Sequence, residues 1–281
     1  MIVATSPHTG TTAGSQRIAA AFARARDDGR AALIPYVVAG YPDVDGSFAV
    51  ACAAIDAGAD LLELGLPYSD PLADGAANQR ASQAALAAGM TFELSLSMVG
   101  RVAAARPGVP LVAMAYANQI LGGSDGRERA LALARAGAAG VIVVDLTPDE
   151  GGPFEAVASE AGIAVIYLVA PTTVPERRAQ IAARSGGFLY CVSLVGVTGA
   201  RTSLPPTVAR LVRDVRAVSP VPVAVGFGVS RPAHARAIAH AGADGVVVGS
   251  ALVDALGPDG RDVDRMSGLV RSLREAARLR P

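Results

Sequence analysis

The sequence predicts an α/β protein made of a single (β/α)8 TIM barrel with an extra N-terminal helix. Three observations predict this fold: the length of 281 residues, an alternation of short β-branched runs with Ala- and Arg-rich stretches of helical period, and a recurring Ala-Gly turn. A barrel of this kind typically takes about 250 residues. Half of the residues (51%) are hydrophobic, so a large core can be buried.

Eight short runs are predicted to be the parallel strands of the barrel. Most of them are continuously apolar, as expected of strands that are covered on both faces. The runs are Leu33–Ala39, Leu61–Leu64, Pro110–Tyr116, Gly140–Asp145, Ile163–Val169, Phe188–Val192, Val221–Val225 and Gly245–Val248.

The recurring turn supports the same architecture. Ala57-Gly58-Ala59-Asp60, Ala136-Gly137-Ala138 and Ala241-Gly242-Ala243-Asp244 each follow a helical stretch and precede a strand. Glycine at this place is typical of a left-handed helix cap. The turns therefore predict three separate helix-to-strand connections.

The chain is expected to contain one domain. Residues 1–14 are rich in Thr, Ser and Gly and are predicted to be a flexible tail, and residues 15–281 form the barrel. Arg17–Arg26 is predicted as the extra helix that closes the barrel bottom, and Val263–Leu279 as the last outer helix. No shift in composition marks a second domain.

Charge and hydropathy exclude several classes of protein. The 25 basic and 25 acidic residues balance, which gives no footprint for nucleic acid or an anionic membrane. No apolar run reaches the roughly 18 residues of a membrane-spanning helix, and the N-terminus lacks the pattern of a signal peptide. We therefore expect a cytoplasmic protein. Cys52 and Cys191 lie in apolar surroundings and are interpreted as small core residues in a reducing compartment.

The absence of lysine restricts the chemistry, since all 25 basic residues are arginine. The chain cannot form a lysine Schiff base with a carbonyl substrate or with pyridoxal phosphate. Only His8, His234 and His240 are histidines, one in the tail and two on a predicted helix, which argues against a three-histidine metal site. Carboxylates, hydroxyls and backbone groups remain as catalytic groups.

Glu63 is the first candidate catalytic residue because it interrupts an apolar strand. A buried carboxylate is costly unless it is paired, hydrogen-bonded or protonated, so a structural ion pair is the alternative interpretation. The following loop, Leu66–Gly75, adds Asp70 and Asp74. Turn formation alone could explain both, but carboxyl groups in different environments can divide acid and base roles. The loop therefore favours general acid/base chemistry.

Three glycine-rich segments follow the sixth, seventh and eighth predicted strands. They are Gly196–Arg201, Gly226–Ser230 and Gly249–Ala251. Glycines let backbone N–H groups approach an anion, and barrels often bind phosphate after strands seven and eight. Together with the carboxyl groups, these segments predict an enzyme that acts on a phosphorylated small molecule.

The stretch Glu63-Leu-Gly-Leu-Pro-Tyr-Ser-Asp-Pro-Leu-Ala-Asp-Gly75 resembles the signature of the tryptophan synthase alpha chain family. The resemblance continues through nearly the whole chain after the tail, at Pro35-Tyr36, Tyr116-Ala117-Asn118, Tyr190, Ser193–Gly199, Gly226–Gly228 and Gly249-Ser250. It implies a carbon–carbon lyase of tryptophan biosynthesis. The implied reaction is the retro-aldol cleavage of indole-3-glycerol phosphate to indole and glyceraldehyde 3-phosphate.

The resemblance also implies roles for single residues. Glu63 corresponds to the acid/base that protonates C3 of the indole ring, and Asp74 to the acid that takes or stabilises the indole N–H proton. Tyr190 lies beside the glutamate, and Thr198 lies on the mobile loop over Asp74. The remaining implied residues form the indole pocket (Tyr36, Met114) and the phosphate site (Gly199, Gly228, Gly249, Ser250).

A partner is implied in the same way. The family works with a beta chain that carries pyridoxal phosphate, in an alpha2-beta2 heterotetramer, and Asp70, Pro71 and Asn118 match positions at that contact. No cofactor and no metal are expected on this chain itself.

The sequence departs from the family in two segments interpreted as loops that close the site and touch the partner. Ala76-Ala77-Asn78-Gln79 replaces a Pro-x-Ile or Pro-x-Val stretch before glutamine, and Gln119 replaces an apolar residue or proline. Two alternatives therefore stay open: a stand-alone indole producer of specialised metabolism, and a non-catalytic subunit that binds a phosphorylated ligand and regulates a partner. Because fold alone is a poor guide to function, another phosphate-binding barrel isomerase or cyclase is a third alternative.

Overall fold

The computed structural model describes residues 11–192, 206–226 and 228–279, which form a barrel of parallel strands surrounded by helices. Neighbouring strands pair in the order β5-β4-β3-β2-β1-β9-β8-β7-β6. The strands are β1 (Ala32–Val38), β2 (Leu62–Gly65), β3 (Leu111–Ala115), β4 (Ala138–Val143), β5 (Ala164–Ile166), β6 (Leu168–Val169), β7 (Leu189–Val192), β8 (Val223–Gly226) and β9 (Gly245–Val248).

The barrel is closed by the segment predicted as the fifth strand. That segment is split at Tyr167: β5 pairs with β4, and β6 pairs with β7. The Tyr167 N–H donates to Ser185 Oγ (3.0 Å), and the Tyr167 carbonyl accepts from the Tyr190 N–H (3.0 Å). The prediction of one continuous strand over Ile163–Val169 was therefore wrong, because the Tyr167 N–H is hydrogen-bonded to the Ser185 side chain and not to a neighbouring strand. The predicted barrel is confirmed.

Helices follow most strands and cover the outside of the barrel. They are α1 (Ala13–Asp27), α2 (Val44–Asp56), α3 (Ala76–Ala87), α4 (Phe92–Ala105), α5 (Ala117–Ile120), α6 (Arg127–Arg135), α7 (Pro148–Glu160), α8 (Pro175–Arg184), α9 (Pro206–Arg216), α10 (Pro232–His240), α11 (Ser250–Ala255) and α12 (Val263–Ala276). Gly58, Gly137 and Gly242 have φ values of +111°, +93° and +95°, which confirms the predicted left-handed caps. Across the described ranges, no helix has the length and hydropathy needed to cross a bilayer.

Helix α1 packs against the bottom of the barrel, as predicted for the extra N-terminal helix. Ile18 and Phe22 belong to the apolar cluster inside the barrel, and the Phe22 ring lies 5.7 Å from that of Phe188. The helix begins at Ala13, where the Thr12 side chain accepts from the Ser15 N–H. It therefore starts two residues before the predicted domain boundary, and residues 1–10 of the predicted tail lie outside the described range.

A buried ion pair fixes the entry into β1. The Arg30 guanidinium donates to both carboxylate oxygens of Asp60, at 2.5 and 2.8 Å, and Asp60 also accepts from the Leu33 N–H at 2.8 Å. The side chains of Arg30 and Asp60 are only 6% and 12% exposed. Arg30 and Asp60, which each lie two residues before a strand, thus connect β1 to β2 at the bottom of the barrel.

Both cysteines pack in the core as expected. Cys52 and Cys191 are buried free thiols, and burial raises the pKa of Cys191 to about 12. A thiol with such a pKa is not a nucleophile at neutral pH.

Candidate active site

Glu63 lies inside the barrel, near the end of β2 where the loops of a barrel enzyme form the site. Residues two apart share a strand face, and Leu61 belongs to the apolar cluster inside the barrel. Glu63 therefore points inward, above Leu61 and below Gly65. Its neighbour in the parallel register is Tyr36 on β1.

The Glu63 carboxyl group has no ion-pair partner among the described residues, so a structural ion pair does not explain it. The residue is 0% exposed, and neither carboxyl oxygen has a hydrogen-bond partner in the described part of the chain. Burial in this environment penalises the charged form and raises the pKa of Glu63 to about 8. The group is therefore largely protonated at neutral pH.

Asp74 lies in the loop after β2 and is held by Tyr116. The Tyr116 hydroxyl accepts from the Ala73 N–H at 3.0 Å and donates weakly to Asp74 Oδ2 at 3.4 Å. Gln79 Nε2 donates to the Asp74 carbonyl at 2.9 Å, which folds the loop back on α3. Burial raises the pKa of Asp74 to about 6, although the Tyr116 hydroxyl opposes the rise. Asp74 is therefore mostly ionised at neutral pH.

Two tyrosines predicted for the site lie against glycines of the neighbouring strands. A Cβ on Gly65 would lie 2.0 Å from the Tyr36 hydroxyl oxygen, and one on Gly226 would lie 2.5 Å from the Tyr190 hydroxyl oxygen. Burial and the Glu63 and Asp74 charges raise the pKa values of both phenols well above their usual value. Met114 is half-buried on β3, opposite Gly65. All three residues thus lie at the barrel mouth.

The predicted phosphate-binding residues of the last two loops lie on the same side of the barrel. Gly228 has a φ of +55°, and Gly249 precedes Ser250, the first residue of α11. A Cβ on Gly75 would lie 3.0 Å from Ser250 Oγ, so α11 begins beside the loop that carries Asp74. The first N–H groups of a helix have no partner within the helix, so they can bind an anion.

Two predicted site residues, Thr198 and Gly199, lie outside the described ranges, as do the whole segment Ser193–Gly199 and its continuation to Arg201. The structure gives no placement for them.

The three residues predicted for partner contact lie at the surface. Asp70 and Asn118 are exposed and Pro71 is half-buried, while the Asn118 side chain donates to the Tyr68 hydroxyl at 3.4 Å. Leu72, which was not singled out from the sequence, is 82% exposed beside them. These residues form a polar surface with one exposed leucine.

The two departures from the family pattern do not lie in loops, which corrects the earlier interpretation. Ala76–Gln79 forms the first turn of α3, and Gln119 belongs to α5. Gln119 also accepts from the Tyr116 N–H at 3.1 Å and donates to the Pro67 carbonyl at 3.0 Å. The altered residues are therefore held in regular structure.

Two side chains at the barrel mouth were not predicted as site residues. Tyr116 contacts Asp74, and its position just after β3 was the available signal, since barrel sites form at strand ends. Asn78 lies in α3 beside Gly249, and a polar residue on the buried face of that helix was the corresponding signal. Both bear on the chemistry of the site.

The arrangement can perform acid and base chemistry on a small ligand. It combines a protonated buried carboxyl group, an ionised carboxylate in the covering loop, and glycine-rich turns suited to an anion. In the described part of the chain, no three His, Cys, Asp or Glu side chains come together as a metal site would require.

Comparison with known proteins finds consistent relatives. The family described as "Tryptophan synthase alpha chain" matches residues 22–278. The tryptophan synthase alpha chain of Chloroflexus aurantiacus is 45% identical over 263 residues, covering 92% of this chain and 96% of the relative. That of Deinococcus radiodurans is 44% identical, covering 93% and 96%.

Solved structures give the same result. A structure of Mycobacterium tuberculosis tryptophan synthase superposes with a TM-score of 0.86 and 42% identity, covering 94% of this chain and 99% of that chain. The tryptophan synthase subunit alpha of Legionella pneumophila has a TM-score of 0.84 and 32% identity, covering 93% and 98%.

Proposed function

This chain belongs to the tryptophan synthase alpha chain family, and we propose that it cleaves indole-3-glycerol phosphate to indole and glyceraldehyde 3-phosphate. The observation that carries the proposal is the pair of carboxyl groups at the barrel mouth whose pKa values differ, about 8 for Glu63 and about 6 for Asp74. At neutral pH the first can donate a proton and the second can stabilise a positive charge.

Glu63 acts as both acid and base in the proposed retro-aldol step. It donates its proton to C3 of the indole ring, which makes the ring a cationic leaving group. The Glu63 carboxylate then accepts the proton of the adjacent chain hydroxyl while the carbon–carbon bond breaks and its electrons return to the ring. The products are indole and an aldehyde, and Glu63 is protonated again. The step needs neither lysine nor metal.

Asp74 stabilises the positive charge that develops on the indole N–H. Its loop position and its pKa of about 6 keep it ionised when Glu63 donates. Tyr116 donates to the Asp74 carboxylate, and Tyr190 is close enough to Glu63 and Asp74 for their charged forms to raise the pKa of its phenol. Tyr36 and Met114 border the indole ring.

The phosphate group positions the substrate. We assign it to the backbone of Gly199, Gly228 and Gly249 and to the Ser250 hydroxyl, with Thr198 on the loop that covers Asp74. The start of α11 at Ser250, next to the loop that carries Asp74, supports this assignment. Holding the phosphate at one end fixes the reacting carbon relative to Glu63 at the other.

A tryptophan synthase beta chain is the proposed partner, in an alpha2-beta2 complex. The contact would include Asp70, Pro71 and Asn118, and the exposed Leu72 beside them supports it because an isolated leucine side chain gains by burial. The beta chain would carry pyridoxal phosphate and consume the indole.

Indole release from indole-3-glycerol phosphate tests the proposal. The purified chain is assayed alone and with a beta chain, alongside the Glu63→Gln variant and a matched Glu128→Gln control at an exposed position of α6. We expect turnover that Glu63→Gln lowers by at least about 10³-fold and the control leaves unchanged, with enhancement by the beta chain.

The other outcomes distinguish the alternatives. Fast turnover that ignores the beta chain would indicate a stand-alone indole producer. Activation of the beta chain without lyase turnover would indicate a regulatory subunit, and no effect in any condition would overturn the proposed function.

A further inference from the structure

Asn78 is a polar residue in the buried stripe of α3. The helix buries Ala77, Ala81, Ser82 and Ala85, and Asn78 is half-buried. Positions three, four and seven residues along a helix lie on one face, so Asn78 lies beside Ala77 at the N-terminal end of the face that Ala81, Ser82 and Ala85 continue. The corresponding family stretch, Pro-x-Ile or Pro-x-Val, is apolar at this position.

The Asn78 carboxamide oxygen is buried without a hydrogen-bond partner among the described residues. Three buried side-chain oxygens share this property in the described ranges, and they belong to two residues, Glu63 and Asn78. Buried acceptors are normally satisfied, and an exception requires an explanation. For Glu63 the explanation is catalysis, which raises the question of what satisfies Asn78.

The carboxamide lies at the barrel mouth. A Cβ on Gly249 would lie 3.3 Å from Asn78 Nδ2 and 3.3 Å from Cδ1 of the Tyr36 ring. Asn78 and Tyr36 therefore both lie against the Gly249 backbone. Gly249 belongs to the proposed phosphate site and Tyr36 to the proposed indole pocket. Asn78 therefore lies where the three-carbon chain that links the phosphate and the indole ring of the substrate would pass.

We propose that Asn78 is a specificity-determining residue whose carboxamide oxygen accepts a hydrogen bond from a hydroxyl group on the three-carbon chain of the substrate. This inference rests on the proposed function, which supplies the phosphate and indole positions. The chain of indole-3-glycerol phosphate carries two hydroxyl groups, and each can donate to an amide oxygen. An apolar residue at this position offers no hydrogen-bond acceptor. The hydrogen bond from Asn78 to the three-carbon chain of the substrate is therefore one that the usual family residue does not make.

A site that bonds to a substrate hydroxyl discriminates against a ligand without that hydroxyl. The test therefore uses two ligands that share the indole ring and the phosphate. One is indole-3-glycerol phosphate, and the other is 3-indolepropanol phosphate, whose chain has no hydroxyl. The measured quantities are kcat/KM for the first and the inhibition constant for the second.

Asn78→Val removes the acceptor and restores an apolar side chain. We expect kcat/KM for indole-3-glycerol phosphate to fall about 5- to 20-fold, mainly through KM, while the inhibition constant of 3-indolepropanol phosphate stays within about twofold or decreases. Gln83→Val, which removes a carboxamide from the exposed face of the same helix, is expected to change neither.

Equal weakening of both ligands would overturn the inference and assign Asn78 a packing role. No change for either ligand would overturn it as well. A thermal melt of each variant checks that the fold is intact. If Asn78→Val does not fold, the same two measurements are made on Asn78→Ala. Absence of turnover in the unmodified protein, with inhibitor binding retained, would instead defeat the proposed function itself.

Discussion

Replacing Glu63 by glutamine is expected to make the stability of the protein less dependent on pH. The Glu63 carboxyl group is fully buried, and no described residue pairs with it. Its pKa is about 8 in the folded chain and 4.5 in an unfolded one. The folded state therefore binds more protons than the unfolded state between these values, and the free energy of unfolding falls as pH rises through this window.

The size of the effect follows from the two pKa values. Each pH unit between about 4.5 and about 8 costs 1.36 kcal/mol for one group, so Glu63 lowers the free energy of unfolding by roughly 3 kcal/mol between pH 4.5 and pH 7. Glutamine does not ionise, so the variant lacks this loss. Relative to the wild type, Glu63→Gln is therefore expected to gain stability steadily from pH 5 to pH 8, even though it loses activity.

Urea denaturation at pH 5, 6, 7 and 8 measures this difference. The wild type and Glu63→Gln should differ by about 1 kcal/mol more at each step up to pH 7, and the exposed control Glu128→Gln should run parallel to the wild type. Parallel curves for the wild type and Glu63→Gln would refute the reasoning, since they would mean that Glu63 is ionised or paired in the folded chain.

Three further outcomes follow from the same contacts. The pH profile of kcat/KM for indole release should be bell-shaped, with activity lost below about pH 6 as Asp74 becomes protonated and above about pH 8 as Glu63 ionises; a flat profile over pH 5–9 would contradict these roles. Tyr116→Phe removes a hydroxyl that lowers the pKa of Asp74, so the acidic limb should move up by a fraction of a pH unit while the alkaline limb stays in place. Asp60→Asn removes the buried carboxylate that accepts from the Arg30 guanidinium and leaves only the exposed Asp28 as its charge partner, so it should lower the free energy of unfolding in urea by about 2 kcal/mol; a loss under about 0.5 kcal/mol would show that the pair is solvated.

The barrel could be predicted from sequence because its strands are covered on both faces. Continuous apolar runs and left-handed glycine caps are local features, and seven of the eight predicted strands and all three glycine caps matched single elements in the structure. The break at Tyr167 could not be predicted in this way. It depends on the Ser185 hydroxyl, which lies 18 residues along the chain and reaches the Tyr167 amide only when the barrel has formed.

The site was predictable to the extent that its residues violate local patterns. Glu63 stands out in an apolar strand, and glycine runs stand out after the last strands. Tyr116 and Asn78 carry weaker signals, one as an aromatic residue at a strand end and the other as a polar residue near a helix start. Their roles depend on contacts between elements, such as that of Asn78 with Gly249, which a sequence without its fold does not contain.

The two ends of the barrel differ in whether their buried side-chain oxygens have hydrogen-bond donors. At the bottom, the Asp60 carboxylate accepts from the Arg30 guanidinium and from the Leu33 N–H, so its buried oxygens are satisfied, although the Arg30 Nε has no described partner. At the mouth, the oxygens of Glu63 and Asn78 are buried without described partners, and each costs stability. A ligand that supplies donors to these oxygens recovers that cost only when it binds. The bottom of the barrel therefore holds the fold together, while the mouth keeps free energy available for substrate recognition.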